Sequence, residues 1–381
     1  MDFDFTEEQR LLDETLRRLV KDEYDIPKRK RYMAMPEGFN RQLWARYAEL
    51  GLLGLPFAES EGGFGGSAVE TMILMESFGR GLVVEPYLAT IVLGGGLVAL
   101  AGSAAQKQAI LKEVTAGKRL LAFAHGERQA RYALAHVETA ARKHGGGFVL
   151  SGAKGVVLGG DSADTFIVSA RTAGGGHERK GITLFLVEAK AKGVSVRGYP
   201  TVDGLRAAEV KLDGVRVGAE AVLGAVDGAY PVIERVVDRA IAALCAEAVG
   251  IMETLNAATL EYLKTRKQFG VPIGSFQALQ HRMADMVVEH EQAKSMAVLA
   301  ALSADLDDER ERRRTISAAK VQIGKSGRFV GQQAIQLHGG IGMTDEYLAG
   351  HYFKRLTMID QTFGDTDHHL DRFAEVTLPA A

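Results

Sequence analysis

The sequence predicts an α+β protein of several domains, helical at both ends and β in the middle. Three observations carry that prediction. Apolar residues recur at helical spacing through the first 120 or so positions. Between Leu120 and Val222 the apolar runs shorten, fill with Val, Ile and Phe, and are separated by glycines, Asp-Gly pairs and Pro200. From about Tyr230 the helical spacing returns and persists. These changes divide the 381 residues into 1–119, 120–227 and 228–381.

The first helix is announced by the capping box Thr6-x-x-Gln9, with Leu12, Leu16, Leu19 and Val20 on one face. Asn40 then caps an amphipathic run with Leu43, Trp44, Tyr47 and Leu50, closed by Gly51. The glycine-rich stretch from Glu61 to Gly66 leads into a second box, Ser67-x-x-Glu70. No strand precedes it and no Lys-Ser/Thr follows, so it reads as a turn rather than a phosphate cradle. From Pro86 to Gln106 no residue is charged. Its proline and the triplet Gly94-Gly95-Gly96 suit a buried helix-turn-helix better than a membrane-spanning helix.

In the middle region FVLSG, GVVLGG, TFIVSAR, ITLFLVE, VSVRGY and EVKLDGVRV read as short strands. After it, Val236, Val237, Ala240, Ile241, Leu244, Ala248, Ile251, Met252 and Leu255 form a broad apolar helical face. The charged run from 304 to 315 reads as a solvated helix end or loop.

A net charge of −2 gives no argument for nucleic acid or an anionic membrane. Cys245, the single cysteine, excludes an internal disulfide and a cysteine metal cluster and suits a reducing cytoplasm. His338, His368 and His369 have no metal-site spacing. No metal is expected.

Several segments, spread nearly end to end, resemble the acyl-CoA dehydrogenase family. They are LGLLGLPFAESEGGFGGSAVETMILMESFGR, GAKGVVLGGDSADTFIVSAR and TVDGLRAAEVKLDGVRV, with YLKTRKQFGVPIGSFQALQHRMADM (262–286) and QLHGGIGMTDEY (336–347) the most specific. The resemblance implies an N-terminal helical domain, a middle β-barrel and a C-terminal four-helix bundle. It also implies FAD held between domains and across a subunit interface. Tyr262 and Arg266 share a helix face, and a guanidinium suits a pyrophosphate. The resemblance places Phe269 and Gln277 against the adenosine half, and Thr366 and His368 on the cofactor as well. Gln336, Gly339 and Gly340 complete the set, the glycines letting backbone approach the dinucleotide.

Two departures stand out. The family's Thr-Glu…Gly-Ser-Asp segment is missing from AFAHGERQARYALAHVETAAR, and its Trp-Ile-Thr is Val156-Val157-Leu158, without the flavin-side aromatic and hydroxyl. The catalytic base is displaced as well. Removing an α-proton from a thioester needs a carboxylate in a dry pocket. Where many relatives have Tyr-Glu-Gly-Thr, this chain has Phe363-Gly364-Asp365-Thr366, so Gly364 falls on the Glu. Asp365 is the candidate base, or else the N-cap of a helix starting near Thr366. A second place for the base, on the first C-terminal helix, falls at Ala240. Glu234 and Asp238 are out of step with it and read as exposed helix charges, and Glu247 as an acid pairing across an interface.

The resemblance therefore implies FAD-dependent conversion of an acyl-CoA to a trans-2-enoyl-CoA, with an electron-transfer flavoprotein as acceptor, in a homotetramer. The alternative is a non-catalytic chain completing the FAD site of a heterotetramer. The tail FGDTDHHLDRF and the segment AHGERQARY look most like small subunits of two-component enzymes of the pimeloyl-CoA dehydrogenase type.

Overall fold

A computed structural model describes residues 5–378. The chain opens with helices α1 (Glu7–Glu23), α2 (Ile26–Met33), α3 (Arg41–Glu49), α4 (Ala68–Gly81), α5 (Gly96–Ala101) and α6 (Ala104–Thr115). Strands β1 (Leu121–Ala124), β2 (Ala140–His144), β3 (Gly147–Leu158), β4 (Thr165–Arg171), β5 (Ile182–Glu188), β6 (Val194–Pro200), β7 (Arg206–Gly218) and β8 (Val222–Leu223) follow. Helix α7 (Tyr230–Thr265), a hairpin of β9 (Lys267–Gln268) and β10 (Val271–Pro272), and α8 (Gln277–Ser303), α9 (Glu309–His338), α10 (Leu348–Gln361) and α11 (Thr366–Thr377) complete the chain. Residues form two compact units. One joins residues 1–31, 68–83 and 241–381, and the other joins 32–67 and 84–240.

In the first unit both halves of the Thr6 capping box form, and Leu16, Leu19 and Val20 are buried. Helices α4 and α7 pack backbone to backbone, because a Cβ on Gly79 would collide with the Glu247 carbonyl and one on Gly250 with that of Glu76. Across this contact Glu247 is buried, and both its oxygens accept from Arg355, at 2.6 and 2.7 Å. The interface partner expected for Glu247 is thus a guanidinium of the same chain. The charged run at 304–315 splits by face. Asp308 caps α9, while Arg312 and Thr315 turn inward.

The second unit holds an eight-stranded sheet in the order β6-β7-β3-β2-β4-β5-β8, with β1 added in parallel to β4. Its edge strands β6 and β8 are not bonded to each other among the described residues. Alternate residues, among them Phe148, Leu150, Phe166, Val168, Phe185, Val210 and Leu212, bury one continuous core on one face. Two of the runs read as separate strands, FVLSG and GVVLGG, are the halves of β3. Asp213-Gly214, read as part of a run, is a bulge in β7, opposite Ser151.

The uncharged stretch forms a π-helical turn, Leu88–Gly95, that runs into α5 and breaks at Gly102-Ser103 before α6. The glycine triplet lies inside the helix. A Cβ at Gly94 or Gly95 would meet Leu121 or Phe57, so these glycines set close approach. The loop at 61–66 is no phosphate cradle. Its N–H groups at Gly63, Phe64, Gly65 and Gly66 donate to the carbonyls of Ala58, Gly54, Phe57 and Leu55.

Every residue of the apolar face predicted for α7 is buried. That helix is long and apolar enough to cross a membrane, but most of its apolar window is covered by the fold. Glu234 and Asp238 are buried too, at 3% and 0% exposure, instead of standing on the surface. Tyr230 donates to Glu234 at 3.2 Å. Helical spacing alone does not reveal that α7 is covered on nearly every side here.

Candidate functional site

Helix α7 ends at Thr265 and hands over to a two-residue hairpin turn. Phe269 and Gly270 have φ of +52° and +82°, the pair of positive angles a type I′ turn requires. An aromatic residue in that region is strained, and Phe269 is 91% exposed, touched edge-on by Phe276 at 6.2 Å. Arg266, Gln277 and Gln336 are exposed as well. Their side chains have no hydrogen-bond or ion-pair partner among the described residues. Gly339 (φ +62°) and Gly340 present bare backbone, with nothing within 4 Å of where a Cβ would stand. The ends of α7 and α9 meet where the His338 ring packs at a tilt against Tyr262, centroids 4.6 Å apart.

This surface offers a guanidinium, two amides, an aromatic ring and a side-chain-free turn. Those are the groups an anionic, aromatic dinucleotide needs, and the residues therefore fit FAD.

The remaining predicted residues lie elsewhere. Asp365 is the N-cap of α11, its Oδ1 accepting from the His368 N–H at 2.9 Å. Thr366 donates its hydroxyl to the buried Asp360 at 3.0 Å. His368 is half-buried, and burial lowers its pKa. Gly364 has φ +116°, and a Cβ there would collide with the rings of His368 and His369. The loop is pinned from below by Lys320, which is fully buried and donates to the carbonyls of Asp360 and Gly364 at 2.8 and 2.7 Å. Burial brings the Lys320 ammonium down to about 8. His369 faces the Phe363 carbonyl at 3.1 Å.

The predicted site residues therefore form two groups. Lys320 and His338 are 18 residues apart on α9, about 27 Å at the helical rise. Arg266, Phe269, Gln277, Gln336, Gly339 and Gly340 belong to the His338 end, and Asp365, Thr366 and His368 to the Lys320 end.

The β unit holds a buried polar cluster that the sequence did not single out. Lys154 donates to Glu127 at 2.7 Å, to Ser169 at 3.1 Å and to the His125 carbonyl at 3.1 Å. Burial pushes the Glu127 carboxyl up, but Lys154 and the N–H groups of Thr139 and Glu138 outweigh it and bring it down to about 2. Burial and the Lys154 charge take His125 down to about 3. Two residues on, Val156 sits in a bulge of β3 at φ +50° and is 60% exposed. A β-branched residue held there is a strained, outward-facing position. The only sequence signals for the cluster were a lone Lys between strand residues and the Glu in AHGERQ. Among the described residues no group of three or more His, Cys, Asp or Glu side chains is placed to hold a metal ion.

Fold and site together define a three-part, helical–sheet–helical protein with a surface suited to a dinucleotide. The sequence matches the acyl-CoA dehydrogenase N-terminal domain over residues 6–118, the middle domain over 122–215 and the C-terminal domain over 227–378. It is 31% identical over 352 residues to the probable acyl-CoA dehydrogenase YngJ of Bacillus subtilis, covering 91% of this chain and 92% of that one. Among solved structures it resembles the ChsE4-ChsE5 complex of Mycobacterium tuberculosis (27% identity, TM-score 0.88, all of both chains). It also resembles the FAD complex of PigA (25% identity, TM-score 0.90, 98% of both chains). The chain belongs to the acyl-CoA dehydrogenase family.

Proposed function

We propose that this chain is a subunit of an FAD-dependent acyl-CoA dehydrogenase that forms a trans-2-enoyl-CoA, and that a second, related chain supplies the catalytic base. Bound FAD would accept the β-hydride of the thioester. The α-proton needs a carboxylate, and the observation that carries the proposal is the loop where one belongs. Gly364 has neither a side chain nor room for one, and Asp365 next to it is engaged as the cap of α11. At the family's other base position stands Ala240, buried and apolar.

The two groups of cofactor residues support the same reading. They belong to opposite ends of α9, whose Lys320 and His338 are about 27 Å apart, an arrangement that suits contributions from different subunits to one FAD. Arg266, Gln277, Gln336 and the Gly339-Gly340 turn would face a neighbour's cofactor, and Thr366 and His368 the chain's own. The likeness to the two-chain ChsE4-ChsE5 complex favours a heterotetramer. An electron-transfer flavoprotein is the proposed acceptor, and the cytoplasm, on the strength of a single, buried cysteine, the proposed compartment.

A second reading keeps Asp365 as the base of a self-sufficient homotetramer. It is favoured by the half-exposed position of that carboxylate, one residue from the expected place. Visible spectra of the chain alone, and of the chain co-expressed with a dehydrogenase-like neighbour, separate the two under anaerobic addition of an acyl-CoA panel. Bleaching in the complex alone is expected. Bleaching of the isolated chain would overturn the partner requirement in favour of Asp365.

A further inference from the structure

The last residue of α9 is bonded at both ring nitrogens. His338 is buried, and its Nδ1 lies 2.7 Å from the Ala334 carbonyl one turn back. A carbonyl can only accept, so Nδ1 carries a proton. Burial lowers the His338 pKa, against the carbonyls of Ala334 and Ala258 that favour the charged ring. In the neutral ring, the form that burial favours, Nε2 is an acceptor. The Tyr347 hydroxyl, 2.8 Å from Nε2, is the donor. Two aromatic rings pack against it at tilted angles, Tyr262 with centroids 4.6 Å apart and Tyr347 at 4.8 Å.

Three elements meet at this side chain: the end of α7 through Tyr262, the end of α9, and the residue that leads into α10. Arg266 follows Tyr262 by one turn, Gln336 precedes His338 by two residues, and Gly339-Gly340 follow it directly. The two glycines open the short 3-10 turn Gly339–Met343 and have no side chains of their own to anchor it; the Gly339 N–H donates to the carbonyls of Gln336 and Ile335.

We propose that His338, as its neutral Nδ1–H tautomer, is a positioning residue for the dinucleotide: it ties the Gly339-Gly340 turn to the helix end bearing Arg266, so that both address one ligand. The inference rests on the FAD assignment made above. Tyr347 acts through it by holding the tautomer, and neither ring needs to touch the cofactor.

The test uses the full chain, co-expressed with its partner where the chain alone takes no flavin. Selective 15N-histidine labelling reads the tautomer directly. A protonated Nδ1 with a bare Nε2 is expected, and a protonated Nε2 would overturn the assignment. FAD affinity is then titrated on stripped protein. His338→Leu keeps the volume and deletes both bonds, and is expected to bind FAD about tenfold more weakly while the apo-protein still unfolds cooperatively at a modestly lower temperature. His338→Gln, which can donate and accept at the same time, is expected to recover most of the loss. An FAD-binding parent whose His338→Leu variant binds equally well removes the inference and leaves the FAD assignment standing. A parent that takes no FAD in either form removes both. If His338→Leu fails to fold, Tyr347→Phe, which deletes one oxygen, decides by the same affinity measurement: weaker binding supports the inference and parental affinity overturns it.

Discussion

At Asp365 a substitution can separate cap from base, because asparagine caps a helix about as well as aspartate but takes up no proton. With a partner-supplied base, Asp365→Asn leaves thioester-dependent bleaching of the complex intact. Loss of bleaching with a normal melting curve would restore Asp365 as the base. Asp365→Ala, which deletes the cap, is expected to lower stability by about 1 kcal/mol in urea titration. The Lys154–Glu127 pair makes the opposite case, since nothing about it is exposed. Lys154→Met strands a carboxylate in the sheet core, and we expect a loss of roughly 3–5 kcal/mol. Lys154→Met combined with Glu127→Leu should recover part of that loss. A double variant no more stable than the single would show that the remaining polar groups, Ser169 and His125, need the ammonium for themselves.

Between elements, close approach governs. Helix α4 meets α7 at Gly79 and Gly250, and each glycine lies under the other helix's carbonyl. Propensity argues for alanine at both places, by about 1 kcal/mol each. Packing argues against it, since a methyl would push the two backbones apart and strain the Glu247–Arg355 pair beside them. We expect packing to win, with Gly250→Ala destabilising by roughly 2 kcal/mol or more. A more stable Gly250→Ala variant would mean that the helices separate at no cost. The hairpin after α7 follows the same logic in reverse. Its turn takes Gly270 where a positive φ is needed, but holds Phe269 at one too, with its ring in the open. That is a local cost at the one ring proposed to meet the adenosine half of the cofactor.

For the whole molecule, the buried histidines set the response to acid. Burial, then nearby lysines, takes His125 from the usual 6.5 to about 3 and His369 to about 2. The folded chain keeps both neutral, while the unfolded chain takes up protons near 6.5. Their contribution is therefore complete above about pH 6.5 and is lost as pH falls toward 3. Glu127, held ionised down to about 2, adds a loss of the same sign below the usual 4.5. The urea midpoint should fall steadily between pH 7 and 4. A flat midpoint over that range would show that these side chains are open to water in the native state.

How much of this was legible depends on whether the information is local. The caps at Thr6 and Asn40, the buried face of α7 and the passage from helix to sheet and back were all readable, because spacing and side-chain chemistry act within a few residues. Arg266 and the Gly339-Gly340 turn were readable as a pattern, because their residue types survive as motifs. At Asp365 one carboxylate suits both base and cap, and its setting depends on φ at Gly364 and on Lys320, 45 residues earlier. The sequence by itself determined the family and the order of helix and strand, and it supplied the residue types proposed to face the cofactor. Only the tertiary structure decided that Glu247 pairs within the chain, that Glu234 and Asp238 are buried, that Lys154 and Glu127 meet in the sheet, and that the residues proposed for the cofactor divide between two ends of α9. Each of those outcomes joins residues far apart in the chain, through distances that no local pattern encodes.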